Sequence, residues 1–538
     1  MLSYDILLNI FRQYLDITPR HWPILAHVCR RWQQVILTSP LGLKLRLYCT
    51  YGTPVLKGLD CWLPVPLVIN YGGFPMLDPP APEDDDNIIT ALKQSDRVNS
   101  ISLTLTNSLL RKLSAISKPF PELEELFLLS SDNLQLTIPS AFGWGKRVRT
   151  LHVTRIAIPA LPQLLPSSTD LVDLRLHEIP MDGYFPPQVF ANGLAGAFRL
   201  RSLSIHFLSF PPRRAFVVLP PPAGHHIVLP VLTSFKYRGI SKYLDDFVAR
   251  IDAPRLGDID ITFFSQPTMD ASQLGQFIER IGMTTALSEA DVQATAHAIS
   301  ISFKNSKNST PFQLQISCKQ LDWQLSSMAQ VCTNFSPFVF GVRRLVFNTN
   351  GWSRGQDDVN GEQWLQLVRS FGGAKTLSIA SEFATGLLCS LRPADEGNAT
   401  DTTILTSLCN LRVKQPVPLD WPFWDAANSL FTSRRLSGHP IELLFVCPDC
   451  NTTGFTSHGL KEHLVSQHAC KIVCSYCSDF QFTGAYIHQF QEHLGLKHPE
   501  VAENDELVSL HPSLWTNLQW DTLAHRHGTL CKKRSSLP

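Results

Sequence analysis

A six-residue pattern, apolar-x-x-apolar-x-apolar, returns along this chain at Val98-Ile101-Leu103, Leu123-Leu126-Leu128, Val148-Leu151-Val153, Leu171-Leu174-Leu176, Leu200-Leu203-Ile205, Leu232-Phe235-Tyr237 and Leu256-Ile259-Ile261. Successive first positions lie 25, 25, 23, 29, 32 and 24 residues apart. The last two apolar positions of each unit are two residues apart, so in a strand they point to one face. A unit of this length cannot bury that face alone, and stacking it on copies of itself is the way such a repeat forms a core. The expectation is one short strand per unit, with a helix or turn leading back to the next. The pattern continues less regularly at Ala298-Ile301-Phe303, Val342-Leu345-Phe347, Ala374-Leu377-Ile379 and Leu408-Leu411-Val413, with longer insertions between units.

Period and pattern together resemble leucine-rich repeats, which implies an α/β fold with a solenoid over residues 96–440. No asparagine recurs after the strand, so varied polar residues must satisfy the turns and the solenoid is expected to be irregular. Pro211-Pro212, Pro220-Pro221-Pro222 and the stretch from Gly351 to Gly361 mark loops that interrupt it.

Ahead of the repeats, Leu2, Ile6, Leu7, Ile10, Phe11 and Leu15 recur at helical steps, which predicts an amphipathic helix. A second run, Ile24, Leu25, Val28, Trp32, Val35 and Ile36, predicts another helix that stops before Ser39-Pro40. The string Leu2-Ser3-Tyr4-Asp5-Ile6-Leu7-Leu8-Asn9-Ile10-Phe11, followed by Val28-Cys29-Arg30-Arg31-Trp32, resembles the F-box. Three departures are present: Ser3 where that family has proline, Asp5 where it has glutamate, and no tryptophan after Pro40. Loss of the proline is expected to weaken the start of the first helix. The resemblance implies a helical motif over residues 1–50 that relies on partners for its core. It also implies docking to a Skp1-like adaptor through Leu2, Ile6, Ile10, Phe11, Val28 and Trp32. The plainer alternative is an N-terminal helical cap over the rest of the chain. Cys29 is expected to be buried in its helix, as free cysteines often are. Residues 51–95 are expected to be a linker, with Pro79-Pro80-Ala81-Pro82 as the joint and Glu83-Asp84-Asp85-Asp86 solvated.

Behind the repeats stand Cys447-x2-Cys450-x12-His463-x4-His468 and Cys474-x2-Cys477-x15-His493-x4-His498. Two thiolates and two imidazoles at such spacing suit one tetrahedral Zn2+, and segments this small need a metal to fold. Phe445 and Leu460 are placed to pack beside the first set. The spacings resemble C2H2-type zinc fingers, which implies a ββα pair over 443–470 and 471–500, holding one or two structural Zn2+, then a tail over 501–538. Two histidine registers fit each finger: His463 with His468 or His458 with His463, and His493 with His498 or His488 with His493. Cys470 is a spare thiol able to substitute for a histidine. Residues 441–500 contain three lysines, no arginine and six acids, a net of 3 − 6 = −3. Phosphate contacts dominate nucleic-acid affinity, so a nucleic-acid partner is not expected. The positions that read bases in the family, Thr456, Gly459, Glu462, Tyr486, Gln489 and Glu492, include no basic residue.

Charge over the whole chain is balanced, with Lys+Arg 47 against Asp+Glu 46, so no global field calls for a polyanion or a membrane. The 13 cysteines, several in the Cys-x2-Cys pairs, fit a reducing compartment, and the N-terminus lacks the form of a signal peptide. The expected location is cytoplasmic or nuclear. An F-box ahead of leucine-rich repeats is the arrangement of substrate receptors of SCF ubiquitin ligases, and this chain resembles forms abundant in mushroom-forming fungi. That resemblance implies a non-catalytic adaptor with an unidentified target protein. The sequence carries none of the usual nucleophile, P-loop, zinc-protease or dinucleotide motifs. The alternative reading is a zinc-finger regulator or scaffold that does not dock Skp1, nucleic-acid binding included.

Overall fold

The computed structural model describes most of residues 2–446, except 52–64, 73–81, 211–225, 350–360, 392–404, 415–420 and some shorter breaks, and after that the backbone of 453–455, 471–473 and 481–483. The chain divides into two units, Met1–Phe264 with Ala271–Gly282, and Ser265–Asp270 with Met283–Pro538.

The first unit opens with three helices, α1 (Tyr4–Ile17), α2 (Trp22–Val28) and α3 (Arg30–Thr38). The apolar run expected to be one helix is therefore two. Cys29 separates them in an extended conformation, with φ −161° and ψ 164°, and it is exposed instead of buried. Leu7, Phe11, Leu15, Trp22, Leu25, Val35 and Ile36 form the helical core, and the chain's own Leu43, Leu45 and Val65 close it. Among the described residues this core is closed by the chain itself. Trp22 fixes the exit of the helices, its indole N–H donating to the carbonyl of Arg46 at 2.7 Å.

A parallel sheet comes directly after the helices: β1 (Leu47–Thr50), β2 (Leu67–Tyr71), β3 (Val98–Leu105), β4 (Glu125–Ser130), β5 (Thr150–Thr154), β6 (Asp173–Ile179), β7 (Ser202–Phe207), β8 (Ser234–Gly239) and β9 (Asp258–Phe264). The seven units of the expected pattern supply β3 to β9, in order and in register. Ile101, Leu126, Leu151, Leu174, Leu203 and Phe235 form one continuous row, each 0% exposed. This is a stacked-repeat arrangement, with one parallel strand per unit. Burying each such side chain contributes about 1.5–3 kcal/mol, so the row adds substantially to cohesion along the stack. Short helices return the chain, among them Asn107–Leu113, Pro187–Gly193, Ser241–Val248 and Ser272–Arg280.

The sheet starts well before residue 96. β1 pairs with β2 through Cys49 and Ile69, and β2 with β3 through Ile69 and Ile101. Residues 82–92, placed in the expected linker, form helix α4 (Pro82–Leu92). Proline fits the first helical position and acids suit the first turn, where backbone N–H groups are unpaired. Within the acid run Asp85 is 2% exposed, accepts a hydrogen bond from Ser108 at 2.8 Å and lies 3.3 Å from the Lys112 ammonium. It is a buried, paired carboxylate and not a solvated linker residue.

The second unit contains β10 (Leu287–Ala294), β11 (Ala298–Asn305), β12 (Phe312–Ser317), β13 (Arg344–Thr349), β14 (Thr376–Ala380), β15 (Asn410–Lys414), β16 (Glu442–Val446) and β17 (Thr453–Phe455). Parallel pairing links β10, β13, β14, β15 and β16. Ala290, Leu345, Leu377, Leu411 and Leu443 lie in one row, and Val292, Phe347, Ile379, Val413 and Phe445 in the next. The expected units beginning at Val342, Ala374 and Leu408 are rungs of this sheet. The one beginning at Ala298 is not: its strand β11 runs antiparallel to both β10 and β12. The rung belongs to β10, where Leu287-Ala290-Val292 carries the same spacing with a small middle residue. Beyond β16 the described backbone forms two antiparallel pairs, β16 with β17, and β18 (Lys471–Val473) with β19 (Gln481–Thr483).

Candidate functional site

Helix α1 carries two apolar stripes. Leu7, Phe11 and Leu15, four residues apart, are 3%, 1% and 5% exposed and face the helical core. One step round the helix, Ile6, Ile10 and Ile17 lie open to solvent, at 48%, 44% and 83% exposure, and Leu2, just ahead of the N-cap, is 50% exposed. On α2 the pair Ile24 and Val28, also four apart, is 61% and 56% exposed. Scattered exposed aliphatic residues are ordinary on a protein surface; here they line up as a helical stripe beside a core that the chain's own described residues close.

The start of α1 is well fixed. Ser3 is its N-cap, with extended backbone, and its hydroxyl accepts a hydrogen bond from the Ile6 N–H at 3.4 Å. The serine thus supplies the helix start that loss of proline was expected to weaken. Tyr4 ties this end of α1 to the end of α3, its hydroxyl lying 2.5 Å from the Ser39 hydroxyl and 3.2 Å from that of Thr38. Those hydrogen bonds hold its phenol below the usual tyrosine range. The Arg31 guanidinium also donates to the carbonyl of Leu2. The exposed stripe is therefore carried on an anchored helix.

Of the six residues expected to contact an adaptor, four (Leu2, Ile6, Ile10 and Val28) lie on the exposed stripes. The other two do not. Phe11 is 1% exposed, and Trp32 packs on it edge to face with ring centroids 4.8 Å apart, on the periphery of the core. Ile17 and Ile24 extend the exposed surface and were missed. Stepping by seven from Ile10 and by four back from Val28 finds them.

The expected metal ligands Cys447, Cys450, His463, His468, Cys474, Cys477, His493 and His498 lie outside the described residues, as do the alternative histidines His458 and His488, Cys470 and the tail 501–538. Strands border both cysteine pairs. β16 ends at Val446 and β17 begins at Thr453, around Cys447 and Cys450; β18 ends at Val473 and β19 begins at Gln481, around Cys474 and Cys477. Each pair thus falls in the connection of an antiparallel hairpin. Among the described residues no three His, Cys, Asp or Glu side chains converge to hold a metal ion. No described helix is long and apolar enough to cross a membrane. Of His225-His226 only His226 is described, and it is exposed.

No protein-family model and no curated protein matches the chain. Among solved structures it is similar to the leucine-rich repeat-containing protein LegL7 of Legionella pneumophila, at 11% identity, covering 72% of this chain and 97% of that one, with a TM-score of 0.25.

Proposed function

We propose that this chain is a non-catalytic adaptor that joins a Skp1-like protein, through the exposed stripes of α1 and α2, to a target protein held by its repeat sheet. In such an arrangement the chain needs no nucleophile of its own. It raises the effective concentration of the target beside a ubiquitin-charged enzyme, and proximity supplies the rate. The observation that carries this reading is the unpartnered row Leu2, Ile6, Ile10 and Ile17, with Ile24 and Val28, on helices whose core is otherwise complete. The resemblance to an F-box supplies the partner's identity.

The C-terminal hairpins support a structural metal role beside it. Hairpin connections bring two cysteines of a Cys-x2-Cys pair to one side of a Zn2+, and imidazoles from the next segment would complete the tetrahedron. Cys447, Cys450, His463 and His468 would hold one ion and Cys474, Cys477, His493 and His498 a second. The metal then orders the chain and takes no part in a reaction. A scaffold that never meets Skp1 is the second reading, and it predicts that the stripes on α1 and α2 bind something else.

The test is co-purification of the full chain with purified Skp1, using Ile6→Asp and Ile10→Asp. Both side chains are solvent-exposed, so the variants should keep the melting temperature of the parent and lose the adaptor by at least tenfold in Kd. A parent chain that does not bind Skp1 at micromolar concentration defeats the adaptor reading.

A further inference from the structure

On the solvent side of the first sheet, β6, β7, β8 and β9 place His177, His206, Arg238 and Thr262 on neighbouring strands, and Arg175, Ser204, Lys236 and Asp260 in the row before them. Adjacent strands are about 4.8 Å apart, so one extended ligand of a few residues can span these strands; Ser204 itself is buried, at 3% exposed. The imidazoles of His177 and His206 stack, with centroids 4.4 Å apart and planes 6° from parallel. Both turn Nε2 to the hydroxyl of Ser204, at 2.9 Å and 3.3 Å. A hydroxyl has one proton, so it donates to one Nε2 and accepts from the other. Two neutral rings so arranged leave one Nδ1–H donor and one bare Nδ1 acceptor, the complement of a peptide group. Burial holds both rings neutral: it pushes His206 down to about 4 and lowers His177 as well.

Beside this pair stand two cations. Lys236 and Arg238 are both exposed, and neither has a carboxylate within ion-pair distance among the described residues. The other cations of the face are engaged: Arg175 lies 2.8 Å from Asp173, and Arg155 pairs with Glu178. Arg238 also lies over the ring of Phe264, 5.9 Å from its centroid, and Phe264 meets Phe210 at 5.4 Å. Phe210 and Leu208 are each 51% exposed. Arginine beside exposed aromatic rings is the composition of a binding hot spot.

We infer that the solvent face of β7, β8 and β9 binds an extended peptide of a partner protein that carries a carboxylate next to an aromatic or aliphatic side chain. The carboxylate meets Lys236 and Arg238, the peptide group meets the stacked imidazoles, and the apolar side chain meets Phe210, Leu208 and Phe264. A nucleic acid shares the taste for cations and rings, but a polyanion would also face Asp173, Glu178, Asp258 and Asp260 on the same strands. A single carboxylate can avoid them. Residues 211–225 of this chain do not supply the ligand by sequence, since they hold Arg213 and Arg214 and no acid. Peptide binding here is independent of whether α1 and α2 dock Skp1, since the two surfaces share no residue.

The experiment pans a phage-displayed library of random twelve-residue peptides on the full chain and measures the synthesised winners by fluorescence anisotropy. Peptides with Asp or Glu beside an aromatic or aliphatic residue should be enriched. Their affinity should fall at least tenfold with Arg238→Glu and with Lys236→Glu, fall with Phe210→Ala, and stay unchanged with Lys146→Glu, an exposed cation off the strands. The variants' melting temperatures and their Skp1 binding, measured alongside, should match the parent. Failure to enrich any peptide, winners without acids, or affinity indifferent to both charge reversals overturns the inference. So does displacement of the winners by a single-stranded oligonucleotide at equal concentration.

Discussion

Phe11 and Ile10 are neighbours in sequence with opposite fates, and the difference sets what their loss should do. Phe11 fills the helical core against Trp32, so Phe11→Ala leaves a cavity and should cost about 3–5 kcal/mol. Ile10→Ala removes an exposed side chain, and chemical denaturation should find it within about 0.5 kcal/mol of the parent. Periodicity shows that both belong to an amphipathic helix but not which of two adjacent stripes faces inward, because both are apolar. Only the packing of Leu25, Val35 and Leu45 against one of them decides it. The serine at position 3 was legible as a departure from proline; its use as a cap needed the Ile6 N–H to be seen beside it. The histidine stack has a pH consequence of its own. Burial, then His177, Arg238 and Lys236, lower the pKa of His206 to about 4, with only Glu178 opposing, against 6.5 for an unperturbed ring. Between those values the unfolded chain binds more protons than the folded one, so stability rises with pH and is lost on acidification from about 6.5 towards 4. The melting temperature should fall across that window, and His206→Gln should flatten the fall. An equal slope in the variant would assign it to other groups.

At the scale of strands and helices, seven rungs of the first sheet were readable because each repeats large apolar residues at three fixed positions. The rungs that escaped lack one of the three. Counted three residues back along the sequence from Ile69 and Cys49, the first position of the pattern falls on Pro66 in β2 and on Arg46 in β1, while the pairing sets Leu67 opposite Val98 and Leu47 opposite Leu67; in β10 the middle position is Ala290. Stacking tolerates these because the neighbouring rung still covers the gap: Ile69 is 0% exposed and so is Ala290. Helix α4 was hidden for a different reason, since a proline with four acids behind it reads equally well as a linker or as a helix start. What decided it was the burial of Asp85 against Ser108 and Lys112, which lie on the next return segment. The close passages between return segments and strands make their own demand. At Gly373 a Cβ would stand 1.9 Å from the carbonyl oxygen of Phe340, so the two backbone segments touch where any side chain would intervene. Gly373→Ala should therefore force the segments apart at a cost of about 1–3 kcal/mol, whereas Gly386→Ala, whose added carbon meets nothing within 4 Å, should not destabilise. Thermal unfolding of the two variants side by side checks this, and equal melting temperatures would refute the close approach.

For the molecule as a whole, the C-terminal cysteines and histidines and the repeat sheet read as separate modules in the sequence, with a boundary near residue 440. The strand β16 belongs to both. Its Leu443 and Phe445 continue the rows of Leu411 and Val413, and its far edge pairs with β17 across the connection that contains Cys447 and Cys450. A parallel stack leaves its last strand with an unpaired edge, which proteins cover or shorten, and the β17 strand covers this one. The spacing of the cysteines was legible, and their attachment to the sheet was not, because Pro440 occupies the first position of the rung. If Zn2+ is held on this hairpin, as proposed, metal loss should act on the last rungs of the second unit and leave the first unit alone. Elemental analysis of the purified full chain should give one or two zinc ions, and Cys447→Ser should remove one equivalent. On chelation, hydrogen exchange should speed up at 442–446 and 453–455, fade back through β15, and stay unchanged in β3 to β9. A chain with no bound zinc, or uniform loss of protection in both units, would separate the hairpin from any metal and leave β17 as a cap held by its backbone hydrogen bonds alone.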